Sequence, residues 1–455
     1  MADALSTLTA LSSPQGPSTF PPGACDRLDA HLSTHLVGQA LAVRQLADAV
    51  CDHAARLERA EVSTSARPPK PLVLSAHGPP GVGKTLAAAL TAAALFAPPG
   101  RDPADPAWAC PGWACPGYRV FFGMDFGGGE RGGAQLAATR RALASHAAAH
   151  PAALIVVEEY DKLDCAARGL FRAMLAGNGG RSVSAGGGAG GWSAGGAGSP
   201  TNGSSSSSSS SPPAAFTSPM PDLSRAIVLL ESNTGYAHLA SALAAASADA
   251  VAAAAGGDEA AAAALASDGD GRALLPPETA ARLLKDAVYA SWAADGCEAP
   301  GDTVRAVAAV DWFLPFLPLH LSHVRALLAR RLADRAARAE AEAGLRLVWD
   351  DGVLDFLADR VDVGEPLGLG LGLGGEASGS GAGSAALYPI EGAREVATLV
   401  TRYVTRAVRE VQKGGLPPPP AAAGRPGAAD VWRGVLVVSG DGRRLEVRLD
   451  RAAGR

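Results

Sequence analysis

The chain has 455 residues, of which 47% are hydrophobic and 19% charged, with a net charge of −5. That length and apolar content allow two or three domains with a sizeable core, and the charge gives no electrostatic footing for nucleic acid or an anionic membrane. No stretch reaches the length and apolarity expected of a membrane-spanning helix, and the N-terminal MADALSTLTALSSPQGPSTFPPGA lacks the basic start and apolar core of a secretory signal.

Residues 1 to about 30, rich in Ser and Pro, read as a disordered tail. From His31 a helical periodicity sets in, with Leu36, Ala40, Val43, Leu46, Ala47 and Val50 on one face. A Pro-rich linker, ARPPKP, leads to the apolar run Leu72 to Ser75, which has the character of a buried parallel strand. The chain then turns through Gly78, Pro79, Pro80, Gly81, Val82 and Gly83 and enters an Ala- and Leu-rich helix at Lys84 and Thr85. A strand, the spacing G-x-x-x-x-G-K-[ST] and a helix together make a phosphate loop, whose backbone N–H groups and helix N-terminus gather phosphate oxygens. Only 5 lysines stand against 35 arginines in this chain, so a lysine at that place is no accident of composition. Lys84 is expected to reach the β- and γ-phosphates of ATP, and the Thr85 hydroxyl to hold Mg²⁺.

A loop with the tandem pentapeptide WACPGWACPG follows, then a second strand over Tyr118–Phe126 and a helix from about Ala134 to His150. His146 and His150 lie four apart on that helix, and with no third ligand nearby they read as two solvent-facing side chains. The third strand, within Ala153–Leu163, ends in Glu158 and Glu159. Adjacent acids at a strand end downstream of a phosphate loop suit a division of labour, Glu158 orienting Mg²⁺ through water and Glu159 polarising the attacking water. Residues 177–219 form a Gly/Ser insertion expected to be disordered, and it contains the sequon Asn202-Gly203-Ser204. A fourth strand over Ala226–Gly235 ends in the polar Asn233, and an alanine-rich segment of uncertain order runs to about Asp270.

LPPETAARLLKDAVYASW reads as a helix with Pro at its start. Val310–Leu319 is strand-like and broken by Pro315 and Pro318; two helices, a low-complexity insertion over 364–384 and a last helix containing Gly392, Ala393 and Arg394 follow. A β-hairpin around Gly440, Asp441 and Gly442 closes the chain. Cys25, Cys51, Cys165 and Cys297 are scattered and Cys110 and Cys115 fall in the pentapeptide, which predicts neither a disulfide framework nor a zinc site. Strands alternating with helices and then a mainly helical end predict an α/β nucleotide-binding domain with a parallel sheet over 31–318 and a small lid domain over 319–455.

The order of phosphate loop, acidic strand end, Asn-ended strand and Gly-Ala-Arg helix resembles AAA+ ATPases of the Clp/torsin branch. LVGQALAVRQLADAV, KPLVLSAHG, EEYDKL and DWFLPFLPLHLSHV are similar to torsins in particular, over most of residues 31–410 apart from the insertions. The resemblance implies a AAA+ phosphate-loop domain in which Val37 and Gly38 sit by the adenine, Asn233 places the attacking water and Arg394 reaches the γ-phosphate from the lid. It also implies self-association into a ring or oligomer, protein substrates to be remodelled, and a compartment such as the lumen of the endoplasmic reticulum or nuclear envelope.

Four positions depart from the torsin pattern. Thr85 and Ala393-Arg394 are of the ordinary AAA+ and Clp form, Glu158 stands where an aspartate is usual, and the terminal hairpin resembles the Clp small domain. In Clp-type chains an arginine lies two residues before the acid that here is Asp311; that position is Ala309, and the nearest upstream arginine is Arg305. The resemblance to torsins in this respect implies an activator protein that supplies the arginine. The alternatives are an ATP-binding scaffold with little hydrolysis and a self-sufficient Clp-type unfoldase.

Overall fold

The computed structural model describes residues 19–62, 70–97, 115–126, 132–175, 222–268, 275–297, 299–364, 388–389, 392–414 and 432–450. Most of the expected tail, the Gly/Ser insertion with its sequon, Cys110 and the low-complexity insertion beyond Gly364 lie outside them. The first helical segment is two helices, α1 (Ala24–His35) and α2 (Ala40–Val62). α1 therefore begins inside the stretch read as tail; it ends where Leu36 turns extended, and Gly38, with a φ of 73°, lies in the turn before α2. Arg27 of α1 donates to the carbonyls of Ala94 and Ala97, the last turn of the phosphate-loop helix, where a cation is favoured.

The sheet-bearing part continues with β1 (Leu72–His77), α3 (Lys84–Phe96), β2 (Tyr118–Phe122), α4 (Gly132–Ala149), β3 (Leu154–Glu158), α5 (Cys165–Leu175) and β4 (Ile227–Ser232). It ends with α6 (Tyr236–Ala255), α7 (Glu259–Asp268), α8 (Pro277–Ala294), α9 (Pro300–Ala308) and β5 (Trp312–Pro315). The five strands form one parallel sheet in the order β2-β3-β4-β1-β5. Helices cover both faces, so β1 and β4 are buried along their whole length, which is why they read as continuous apolar runs. The second strand is shorter than expected, because Gly123–Phe126 turns into a 3₁₀ helix. Gln39, buried in the turn before α2, pairs through its amide with both backbone groups of Leu317, donating to the carbonyl at 2.8 Å and accepting from the N–H at 2.9 Å.

The C-terminal part holds α10 (Leu321–Ala343), β6 (Leu345–Val348), α11 (Asp351–Ala358), the two-residue strands β7 (Val363–Gly364) and β8 (Tyr388–Pro389), α12 (Ala393–Leu399), α13 (Arg406–Lys413), β9 (Trp432–Val438) and β10 (Leu445–Asp450). A π-helical turn, Val400–Thr405, joins α12 to α13 into the single helix expected. The expected hairpin is β9–β10, antiparallel, and β6 adds to β9 in parallel. The fold class read from the sequence, a parallel α/β domain followed by a mainly helical part with a C-terminal hairpin, is the one observed.

Three expectations need correction. Cys25 is bonded to Cys51 and Cys165 to Cys297, and Cys115 is also disulfide-bonded, so scattered positions in the chain are paired in space. His146 and His150 are both half-buried rather than solvent-facing, and burial pulls the pKa of His146 below the ordinary value. α6 is long and apolar enough to cross a membrane by length and composition, its alanines giving a mean hydropathy of 1.3; here Leu239, Ala240 and Leu243 are buried. The alanine-rich region is thus helical, as α6 and α7.

Candidate nucleotide site

The C-terminal ends of β1, β3 and β4 lie side by side at one edge of the sheet, the edge at which open α/β sheets bind ligands. Lys84 and Thr85 open α3 there, behind Gly83, whose φ of 105° is closed to residues with a Cβ. Gly78 packs against the backbone of Phe316, where a Cβ would lie 2.2 Å from the carbonyl oxygen. Pro79 supplies a carbonyl to Lys84, and Val82 is buried beneath the loop.

A cleft of about 500 Å³ opens over this loop. Pro80, Gly81, Gly83, Lys84 and Thr85 line it from the loop, Glu158 and Glu159 from β3, Asn233 from β4, and Ala393 and Arg394 from the lid. The structure therefore brings together the expected phosphate-loop, acidic, Asn and lid residues. Gly38 lies instead on a second cavity of about 560 Å³, with Leu36 and Val43; Val37 is half-buried in the same turn. Leu36 touches the phosphate loop, since a Cβ on Gly83 would lie 3.0 Å from its side chain.

Lys84 is held by oxygens of the site itself. Its ammonium donates to the carbonyls of Gly78 at 2.6 Å and Pro79 at 2.8 Å and to Oδ1 of Asn233 at 2.9 Å. Burial pulls its pKa down to about 8, against the attraction of Glu231 and Asp161. The Thr85 hydroxyl donates to Oε2 of Glu231 at 2.9 Å. Glu158 also lies within hydrogen-bonding reach of Thr85, and burial raises its pKa.

Glu159 is, among the described residues, the one non-glycine with positive φ, at 52°. A left-handed glutamate costs on the order of 1 kcal/mol and persists where the surroundings impose it, as at active sites. Its backbone is closely packed by Gly123, where a Cβ would come within 2.0 Å of the Glu159 carbonyl oxygen.

Beneath Asn233, the ring of His77 fixes the end of β4. Nδ1 lies 2.9 Å from the Thr234 carbonyl, which can only accept, so Nδ1 carries the proton and Nε2 accepts from the Ser75 hydroxyl at 2.7 Å. Burial lowers the pKa of His77 to about 4, keeping it neutral.

The sequence reading overlooked Glu231, Ser232 and Arg331, which also line the cleft. Glu231 carries a signal in the sequence, a carboxylate within the otherwise apolar run AIVLLES. Arg331 carried none, being one of several arginines on a long amphipathic helix.

The donor set fits the groups expected. Lys84 and the loop backbone suit phosphate, while Thr85, Glu158 and Glu231 offer hard oxygen ligands of the kind Mg²⁺ takes. One carboxylate oxygen each of Glu158 and Glu231 is buried without a hydrogen-bond partner, as expected where a cation belongs.

No family model matches the chain, and no match is found among curated proteins. Among solved structures it is similar to a chain of Hsp104, determined in the closed state with ATPγS and FITC casein, at 13% identity and a TM-score of 0.49. The likeness covers 94% of this chain and 52% of that one, so this chain spans about half the length of the protein it matches.

Proposed function

We propose that this chain is a AAA+ ATPase of the Clp/torsin branch that binds ATP with Mg²⁺ and uses its hydrolysis to remodel protein partners, working as an oligomer. The observation that carries the reading is the meeting of Lys84, Thr85, Glu158, Glu159, Asn233 and Arg394, from four separate segments, on one cleft. Lys84 exchanges its carbonyl partners for phosphate oxygens, and Arg394 adds a second cation from the lid. Mg²⁺, when bound, neutralises phosphate charge. Glu159 takes up the proton of the attacking water, and Asn233, released from Lys84, orients that water. Val37 and Gly38 remain the candidates for the adenine side. Lys84→Ala is expected to abolish ATP binding in calorimetry; unchanged affinity would overturn the site.

Within that branch we place the chain with torsin-like ATPases that draw the missing arginine from a structurally related activator. Arg305, the nearest arginine to the finger position, is 85% exposed and ion-paired with Asp302, and Ala309 occupies the position itself. The Cys25–Cys51 and Cys165–Cys297 bonds suit an oxidising compartment and support a lumenal location such as the endoplasmic reticulum or nuclear envelope. A second reading, an ATP-binding scaffold with little hydrolysis, is favoured by Glu158, one methylene longer than the usual aspartate; a large gain in turnover in Glu158→Asp would support it.

A further inference from the structure

We infer that Glu231 is a ligand of the divalent cation, and that Thr85, Glu158 and Glu231 together hold one Mg²⁺ or Mn²⁺ before any nucleotide arrives. Val157 of β3 pairs with Leu230 of β4, so the next residues along the two parallel strands, Glu158 and Glu231, stand side by side. Side chains alternate along a strand, which sends this pair to the same face of the sheet, the face at which Thr85 opens α3. Both carboxylates address the one hydroxyl of Thr85. A hydroxyl has a single proton, so it can satisfy only one of them at a time.

Glu231 is 3% exposed, and its Oε1, in the wall of the cleft, has no hydrogen-bond partner; neither has Oε1 of Glu158. Two adjacent carboxylates with orphaned oxygens are satisfied by a shared proton or by a cation between them, and a divalent cation answers both charges at once. The nearest ammonium, Lys84, is already committed to Gly78, Pro79 and Asn233. No group of three or more His, Cys, Asp or Glu among the described residues is arranged to hold a metal. The site is thus two carboxylates and a hydroxyl with its remaining positions open to water, the partly hydrated arrangement that Mg²⁺ favours.

This inference rests on the proposed role of Thr85 and Glu158, and its test is independent of turnover. Nucleotide-free full-length protein is titrated with Mn²⁺ and followed by electron paramagnetic resonance, with Mg²⁺ as competitor. One Mn²⁺ per chain, displaced by Mg²⁺ and weakened at least about tenfold in Glu231→Gln, is the expected result. The glutamine keeps an acceptor for Thr85 and removes only the charge, so a merely positioning role would leave Mn²⁺ binding unchanged. Absence of Mn²⁺ binding by the nucleotide-free wild type overturns the inference whatever the variant does. ATP binding by the same preparation with chelator present distinguishes the failures: ATP bound without Mn²⁺ sinks the metal site alone, and Mn²⁺ bound without ATP sinks the ATPase reading.

Discussion

The backbone N–H of Ala393 donates to the carbonyl of Gly81 at 2.9 Å, which fastens the first turn of α12 to the phosphate loop. Gly392 permits the approach: its φ is 57°, and a Cβ there would stand 2.7 Å from the Gly81 oxygen. Strain of this kind costs about 1–3 kcal/mol and is relieved by undocking the lid. Gly392→Val is therefore expected to weaken nucleotide binding roughly tenfold to a hundredfold while leaving the large domain folded. Titration with a fluorescent nucleotide checks this, and unchanged affinity would show that the lid contact is dispensable.

His77 makes stability depend on pH. In the unfolded chain it takes a proton near pH 6.5, and in the folded protein only near 4. Between those values the unfolded state binds more protons, so stability falls as pH falls, by about 1.4 kcal/mol per unit and at most about 3 kcal/mol in all. Urea unfolding from pH 7 to pH 5 is expected to show this slope in the wild type and a shallower one in His77→Gln. Parallel slopes would mean that other groups carry the acid sensitivity.

Glu159→Gln keeps the side chain's shape and removes its basicity. Loss of a general base lowers turnover by about 10²–10⁴-fold, while ATP binding, which rests on Lys84 and the loop, is expected to be retained. Single-turnover hydrolysis and equilibrium binding on the same variant separate the two effects. Hydrolysis equal to that of the wild type would remove Glu159 from its role.

The purified protein alone is expected to hydrolyse ATP slowly at all concentrations, and Arg305→Ala to change nothing. An arginine supplied in trans is worth about 10³–10⁵ in rate for phosphoryl transfer. Brisk hydrolysis that rises with protein concentration and disappears in Arg305→Ala would favour a self-sufficient ring.

The parallel sheet was legible because its central strands are buried on both faces and the phosphate loop has a fixed spacing. Thr85 followed from the motif spacing and Glu158 from a strand end, while the role given to Asn233 came from the family resemblance. Pairings that depend on distance in space were not legible. Cys165 and Cys297 lie 132 residues apart, and nothing local marks them as partners. β6 is four residues long, and its strand character comes from pairing with β9, far along the chain. The adjacency of Glu158 and Glu231 is a matter of register, which becomes readable only when β3 and β4 are known to be neighbours.

The Gln39 amide occupies both backbone groups of Leu317 as a neighbouring strand would. Truncating it would leave a buried donor and acceptor unpaired at about 1–3 kcal/mol, so the turn carrying Val37 and Gly38 and the segment following β5 form one mechanical unit. Leu317 is followed closely by α10, the first helix of the lid. A ligand that shifts this turn would pull on the root of α10, a route towards Arg394 that does not pass through the phosphate loop.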